Sequence, residues 1–172
     1  MKPSAFNYAK PSSVDEVLGL LSEYGDEATI LAGGQSLVPT MNMRLSAPSL
    51  VIDINGLAEL SGISSKGESL RIGALTRHVK IENSPEIAEH APLITMAMPS
   101  IAHPAIRNRG TMGGSIAMAD PAAEMPACLC ALGAEIEITG GSGARKVAAT
   151  DFFKGLYDTD LGGDEIITAI EI

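Results

Sequence analysis

The sequence predicts a mixed fold of the α+β or α/β class, arranged as two lobes. Three observations carry this. Short apolar runs bounded by glycine alternate with stretches of helical period. The texture changes after Asn55-Gly56, from a strand–helix–strand pattern to a hairpin followed by helix and further strand. The chain also has 172 residues, 45% hydrophobic and 19% charged, which suffices for an ordinary core. The smaller lobe covers about residues 1–56 and the larger about 57–172.

The elements follow in order. Phe6 to Ala9 reads as a short strand. Ser13 and Glu16 have the spacing of a capping box, in which the serine caps and the glutamate reaches back. Val14, Val17, Leu18 and Leu21 recur at helical spacing, and Gly25 ends that helix. Ala28 to Ala32 is an apolar strand that runs into Gly33-Gly34, and Leu50 to Ile54 is another, ended by Asn55-Gly56. Ile63 to Ser65 and Leu70 to Ala74 flank Lys66-Gly67-Glu68, the pattern of a hairpin. Pro85 to Met98 is helical, interrupted by Pro92 and stopped by Pro99. Ala122 to Leu132 is helical, with Pro126 in its first turn or at a kink. Ala134 to Thr139 alternates Ile136 and Ile138 with acids, as a half-exposed strand does. Gly140-Gly-Ser-Gly143 turns the chain, the acidic stretch from Asp151 reads as a solvated loop, and Glu165 to Ile172 is a last strand.

Composition removes several function classes. Twelve Lys and Arg against 21 Asp and Glu leave a net charge of −9, the wrong sign for a general nucleic-acid binder or an anionic membrane surface. No run approaches the ~20 apolar residues of a spanning helix, so no membrane insertion is expected. Met1 to Lys10 lacks the apolar core of a signal peptide. The two cysteines, Cys128 and Cys130, imply no disulfide framework, so a reducing cytoplasm is the expected location. They are also too few for an iron–sulfur cluster, and they read as buried, inert thiols.

Glycine clusters in two places, Ile30-Leu-Ala-Gly-Gly-Gln-Ser-Leu37 and Arg109-Gly-Thr-Met-Gly-Gly-Ser115. Paired glycines allow positive φ and close backbone approach. Successive N–H groups in such a turn form an anion-binding nest, and Ser36, Thr111 and Ser115 add hydroxyls. Two such loops suit a pyrophosphate held from two sides; plain tight turns explain them as well. No Rossmann fingerprint, P-loop or nucleophile elbow is present. His78, His90 and His103 lack metal-ligand spacing and read as surface or structural residues. Asp120 and Glu124 either accept from ribose hydroxyls or are acids favoured at a helix start. Arg107 and Arg109 suit a phosphate, an acidic partner or ordinary salt bridges.

At these residues the chain resembles a known family. Ala32-Gly-Gly-Gln-Ser-Leu37 is similar to the first flavin loop of molybdenum hydroxylase medium subunits, the FAD subunits of carbon monoxide dehydrogenase-type and xanthine dehydrogenase-type enzymes. Ile101-Ala-His-Pro-Ala-Ile-Arg-Asn-Arg-Gly-Thr-Met-Gly-Gly-Ser115 resembles the second, and Ala119-Asp-Pro-Ala-Ala-Glu124 continues it. Phe6-Asn-Tyr-Ala-Lys-Pro11, Asp151-Phe-Phe-Lys-Gly155, Thr159-Asp-Leu161 and Asp164-Glu-Ile-Ile167 extend the match over nearly the whole chain. The resemblance implies a PCMH-type FAD-binding domain over residues 1–172, with FAD between the lobes. It implies cofactor contacts at Leu31, Ala32, Gly33, Gly34, Gln35, Ser36 and Leu37, and at Thr111, Met112, Gly113, Gly114 and Ser115. Residues 32–36 and 111–115 would wrap the pyrophosphate, Ile101 would lie against the cofactor, and Leu161 would approach the isoalloxazine ring. Glu124 stands at the position of a family acid that contacts FAD, with Asp120 nearby.

There are two departures. Met118 stands where close members often carry histidine, and family subunits carry a further C-terminal domain, whereas this chain ends at Ile172. The implied role is electron transfer through FAD to an external acceptor. The expected partners are a small subunit with [2Fe–2S] clusters and a large molybdopterin subunit. No nucleophile or acid–base set is evident, so no catalytic residue and no metal ligand is named. The alternatives are a stand-alone flavin oxidoreductase and a fragment that keeps only fold and subunit contacts.

Overall fold

The computed structural model describes residues 2–67 and 69–172; Met1, and Glu68 of the expected hairpin turn, lie outside the described residues. The first part is a small parallel sheet. β1 (Asn7–Ala9), β2 (Ala28–Leu31) and β3 (Leu50–Asp53) lie in the order β1-β3-β2. Two helices make the connections, α1 (Val14–Tyr24) and α2 (Leu37–Asn42). Parallel neighbours need such crossovers. α1 starts as its sequence predicts: the Ser13 hydroxyl accepts from the Glu16 N–H at 3.2 Å. The Glu16 carboxylate, however, reaches one residue beyond the expected box. It accepts from the Ser12 N–H at 2.7 Å and the Ser12 hydroxyl at 3.0 Å. Gly25 ends the helix at φ 51°.

The second part is an antiparallel sheet with helices packed on it. β4 (Ile63–Lys66) and β5 (Ser69–Gly73) form the expected hairpin. A helical stretch follows: α3 (His78–Glu82), α4 (Pro85–His90), α5 (Pro92–Ala97), α6 (Pro104–Arg107), α7 (Met112–Met118) and α8 (Glu124–Leu132). The chain then returns as β6 (Glu135–Gly140), β7 (Gly143–Ala148), the short helix α9 (Ala149–Phe152), the small hairpin β8 (Phe153–Gly155) and β9 (Asp158–Thr159), and β10 (Glu165–Glu171). The sheet order is β4-β5-β10-β6-β7.

The Pro85 to Met98 stretch divides at Pro92, as a proline inside a helical run should. Ala91 before it leaves the helical region at ψ 58°, and both halves begin with proline. The acidic stretch from Asp151 is more ordered than a loop. It carries α9 and the β8–β9 hairpin. Two of its acids are paired: Arg145 bonds Asp160 at 2.7 Å and Glu165 at 2.6 Å, and Lys154 meets Asp160 at 3.2 Å. These contacts hold Asp160 and Glu165 below the usual carboxylate range.

β10 separates two cores. Ile167 and Ile170 join a large cluster with Ile72, Ile136, Ile138, Met112, Ile116 and Leu129. Ile166 joins a smaller one with Val17, Leu21, Leu50, Ile52 and Ile54. The register of β10 against β6 shifts between Ile167 and Ala169, a bulge at Thr168. The Thr168 carbonyl there accepts from the Ala74 N–H at 2.9 Å, which anchors the segment after β5. Among the described residues no helix is long and apolar enough to cross a membrane.

Candidate functional site

The first glycine loop leaves the end of β2 and enters α2. Leu31 is the last strand residue and Leu37 the first helical one. Gly34 sits at φ 71°, the left-handed region that its lack of a Cβ permits. Gly33 serves a different need. A Cβ on it would lie 2.6 Å from the Arg109 carbonyl oxygen and 2.8 Å from the Gly110 Cα. The first loop therefore rests directly on the lead-in to the second. The Gln35 side chain turns back and donates to the Gly33 carbonyl at 3.1 Å. Among the described residues, none of the N–H groups of Gly33, Gly34, Gln35, Ser36 and Leu37 has an acceptor, and the Ser36 hydroxyl caps no helix N–H. A row of unpaired backbone donors at a strand-to-helix turn can take an anion.

The second loop differs from the sequence expectation. It is the start of a helix, not a positive-φ turn. Thr111 is the N-cap of α7, and its hydroxyl accepts from the Gly114 N–H at 3.2 Å. Met112 N–H donates to the Thr76 carbonyl at 3.0 Å, Gly113 N–H to the Ala74 carbonyl at 2.8 Å, and Ser115 N–H to the Thr111 carbonyl at 3.1 Å. The expected row of free donors is thus already used by the protein. A Cβ on Gly113 would lie 2.6 Å from the Ala74 Cβ, so this glycine serves packing. What the second loop leaves open is the exposed Gly114 backbone and the Ser115 hydroxyl.

The other expected site residues lie outside the two loops. Ile101 and Leu161 are partly buried against the large core. Ile101 precedes Ala102, which sits at φ 43°. Arg107 is buried and holds that turn, donating to the carbonyls of Ile101 at 2.9 Å and Ala102 at 3.2 Å. Its Nε bonds Glu82 at 3.0 Å. Arg107 is therefore a structural ion pair, the plainest of the alternatives its sequence allowed. Asp120 accepts from the Ala122 N–H at 2.9 Å, in a turn after Ala119 closes α7 at φ 47°. Glu124 is the first residue of α8, and its carboxylate has no hydrogen bond or ion pair among the described residues.

Two features lie beyond the expected site residues, one a histidine that the sequence marked as surface or structural. The first is His78, buried under the second loop, with neither ring nitrogen hydrogen-bonded among the described residues. Burial holds its pKa below the ordinary histidine value, and the nearby Thr111 backbone and Glu124 charge offset this only in part. The second is a polar chain beside the first loop. The Tyr8 hydroxyl donates to Asp53 at 2.5 Å, and Asn55 Nδ2 donates to Asp53 at 2.6 Å and to the Ala32 carbonyl at 2.8 Å. Arg77 donates to Asn55 Oδ1 and to the Arg109 carbonyl. Burial raises the Asp53 pKa, but the bonds from Tyr8 and Asn55 outweigh it and the carboxyl lies low. Asn55 showed in the sequence only as turn punctuation, and nothing local marked Arg77.

This arrangement has close counterparts. A family model described as the FAD binding domain in molybdopterin dehydrogenase matches residues 4–172. The nicotine 6-hydroxylase medium subunit of Paenarthrobacter nicotinovorans is 45% identical over 172 residues, covering 100% of this chain and 60% of that protein. Caffeine dehydrogenase subunit beta of Pseudomonas sp. (strain CBB1) is 42% identical over 173 residues, covering 100% of this chain and 59% of that protein. A solved structure of carbon monoxide dehydrogenase from Hydrogenophaga pseudoflava, lacking the Mo-pyranopterin moiety of its molybdenum cofactor, superposes with a TM-score of 0.98 at 41% identity. The match covers 100% of this chain and 60% of that one. The 172 residues thus span about three fifths of the length of these relatives.

Proposed function

Because this chain belongs to the family of FAD-binding domains of molybdopterin dehydrogenases, we propose that its two glycine loops hold FAD for the medium subunit of a molybdenum hydroxylase. The observation that carries the assignment is the row of N–H groups at residues 33–37 without acceptors among the described residues. Unpaired backbone donors are costly unless water or a ligand satisfies them, and a diphosphate presents several oxygens to such a row. Residues 32–36 are the principal cradle. Residues 111–115 form the facing wall, through the bare Gly114 backbone and the Ser115 hydroxyl rather than through a second nest.

Glu124 carries an unpaired carboxylate at the start of α8, which suits a ribose hydroxyl donor. Asp120 keeps one oxygen free for the same neighbourhood. Ile101 and Leu161 offer apolar surface to the rings, with Arg107 fixing the turn that presents Ile101. Flavin bound there would supply the redox chemistry, taking electrons from [2Fe–2S] clusters of a small subunit, fed by a molybdopterin large subunit, and passing them to an external acceptor. The protein binds and orients the group.

The test is a visible absorption spectrum of the purified chain, with the released cofactor identified by chromatography. A flavin spectrum, with FAD released on denaturation, supports the assignment. A protein that stays colourless after incubation with FAD overturns it for this chain.

A further inference from the structure

We infer that Arg77 is a positioning residue that clamps the two glycine loops at the separation the cofactor requires; this rests on the FAD reading above. The backbone of Arg77 belongs with the second loop. It is extended at φ −69°, ψ 143° and forms an antiparallel bridge with Thr111. Its neighbours tie the same segment down, through His78 N–H to the Gly110 carbonyl at 3.0 Å and Met112 N–H to the Thr76 carbonyl at 3.0 Å. The side chain then reaches toward the parallel sheet, to Asn55 just past β3.

One side of the guanidinium takes the Arg109 carbonyl, on the lead-in to the second loop, and the other takes Asn55 Oδ1. Asn55 in turn holds the Ala32 carbonyl of the first loop and is itself held by Asp53 at the end of β3. Among the described residues no hydrogen bond joins residues 31–37 directly to residues 109–115. Among the described residues the Arg77–Asn55 pair is the polar connection between them. It lies beside the point where Gly33 packs on the Arg109 backbone.

The choice of arginine has a geometric reason. A planar fork with five donors can fix two separate acceptors at once, whereas a lysine ammonium is a single point charge. The acceptors here are neutral oxygens of the protein. Holding the loops in register before the ligand arrives removes an ordering cost from binding. The rival role is direct: Arg77 would attract the anionic cofactor by its charge. The two roles differ in what lysine can replace.

The experiment titrates flavin-free protein with FAD, followed by quenching of flavin fluorescence, for the parent chain, Arg77→Met, Arg77→Lys, Asn55→Leu and Arg77→Met/Asn55→Leu. Cooperative melting of each flavin-free protein is recorded alongside. The clamp predicts that Arg77→Met and Arg77→Lys both weaken FAD roughly ten- to a hundredfold, the loss of a hydrogen bond to a charged donor. It predicts that Asn55→Leu weakens FAD comparably and that the double variant is little worse than either single one, because both break the same link. Parent-like affinity in Arg77→Lys overturns the clamp in favour of charge. Fully additive losses at the two positions overturn it as well. Binding unchanged in all variants removes the inference and leaves the FAD reading standing. No FAD uptake by the parent overturns that reading, and the inference with it. Should Arg77→Met not fold, Asn55→Leu and Arg77→Lys still decide between these outcomes.

Discussion

Gly33 is the residue on which the two loops close. The atoms that would meet its Cβ, at 2.6 and 2.8 Å, belong to the backbone of Arg109 and Gly110, so no side chain can swing aside. Gly33→Ala therefore pushes the loops apart, at a cost of about 1–3 kcal/mol typical of overpacking. We expect FAD affinity and melting temperature to fall together, measured by titration and calorimetry. A variant with parental values for both would show that the loops do not touch. His78 gives a pH dependence. Its folded-state pKa lies below the ordinary value of 6.5, so within that window the unfolded chain binds the extra proton. Stability is then complete above 6.5 and falls as pH drops through the window. His78→Leu removes both the proton and two unpaired buried nitrogens. It should flatten the pH dependence of unfolding below 6.5 without destabilising the protein above it. A slope equal to the parent's would assign the titration elsewhere.

Among the elements, α1 and α7 show opposite relations to their sequences. α1 has period, cap and stop, and all three were legible. Its one weak position is Gly19, where a Cβ would meet nothing within 4 Å. Gly19→Ala should stabilise the protein by about 0.5–1 kcal/mol in chemical denaturation, since alanine loses less backbone entropy. A loss of stability would mean that this face of α1 is occupied. α7 has no such signature: Met-Gly-Gly-Ser-Ile-Ala-Met carries two poor helix formers in its first turn. It is helical because Thr111 caps it and because Thr76 and Ala74, far upstream, take its first N–H groups. Thr111→Ala should cost about 1 kcal/mol of stability and lower FAD affinity, while Thr111→Ser should keep most of both. The same division runs through the molecule. β2, β3, β6 and the β4–β5 hairpin could be read because a period of two, or an apolar run with turn residues, marks them. β7 lies at a sheet edge with little buried face, and β8 and β9 have three and two residues, too few to show a period. The first loop was legible because its glycine pair and strand-to-helix turn are features of local backbone. The Arg77–Asn55 link was not, because its partners meet only in the folded chain.

At the scale of the whole molecule, the two sheets do not divide the chain into two independent units. The core of the parallel sheet contains Val17, Leu21, Leu50, Ile52 and Ile54, but also Leu57, Leu60, Leu75 and Ile166. Ile166 is on β10, the central strand of the other sheet. Each of those four buried side chains contributes roughly 1.5–3 kcal/mol when taken from water. Their combined loss is comparable to the whole stability of a small domain, about 5–15 kcal/mol. A fragment of residues 1–56 should therefore remain unfolded by circular dichroism and by amide dispersion in NMR spectra. Ile166→Ala in the full chain, which touches neither loop sequence, should cost about 2–5 kcal/mol. It should also weaken FAD, because the first loop is carried by the sheet that Ile166 helps to seat. A folded 1–56 fragment would mean that the parallel sheet stands alone. An unfolded one ties loop geometry to the joint core, so that retention of FAD reports on the packing between the two sheets as much as on the loops themselves.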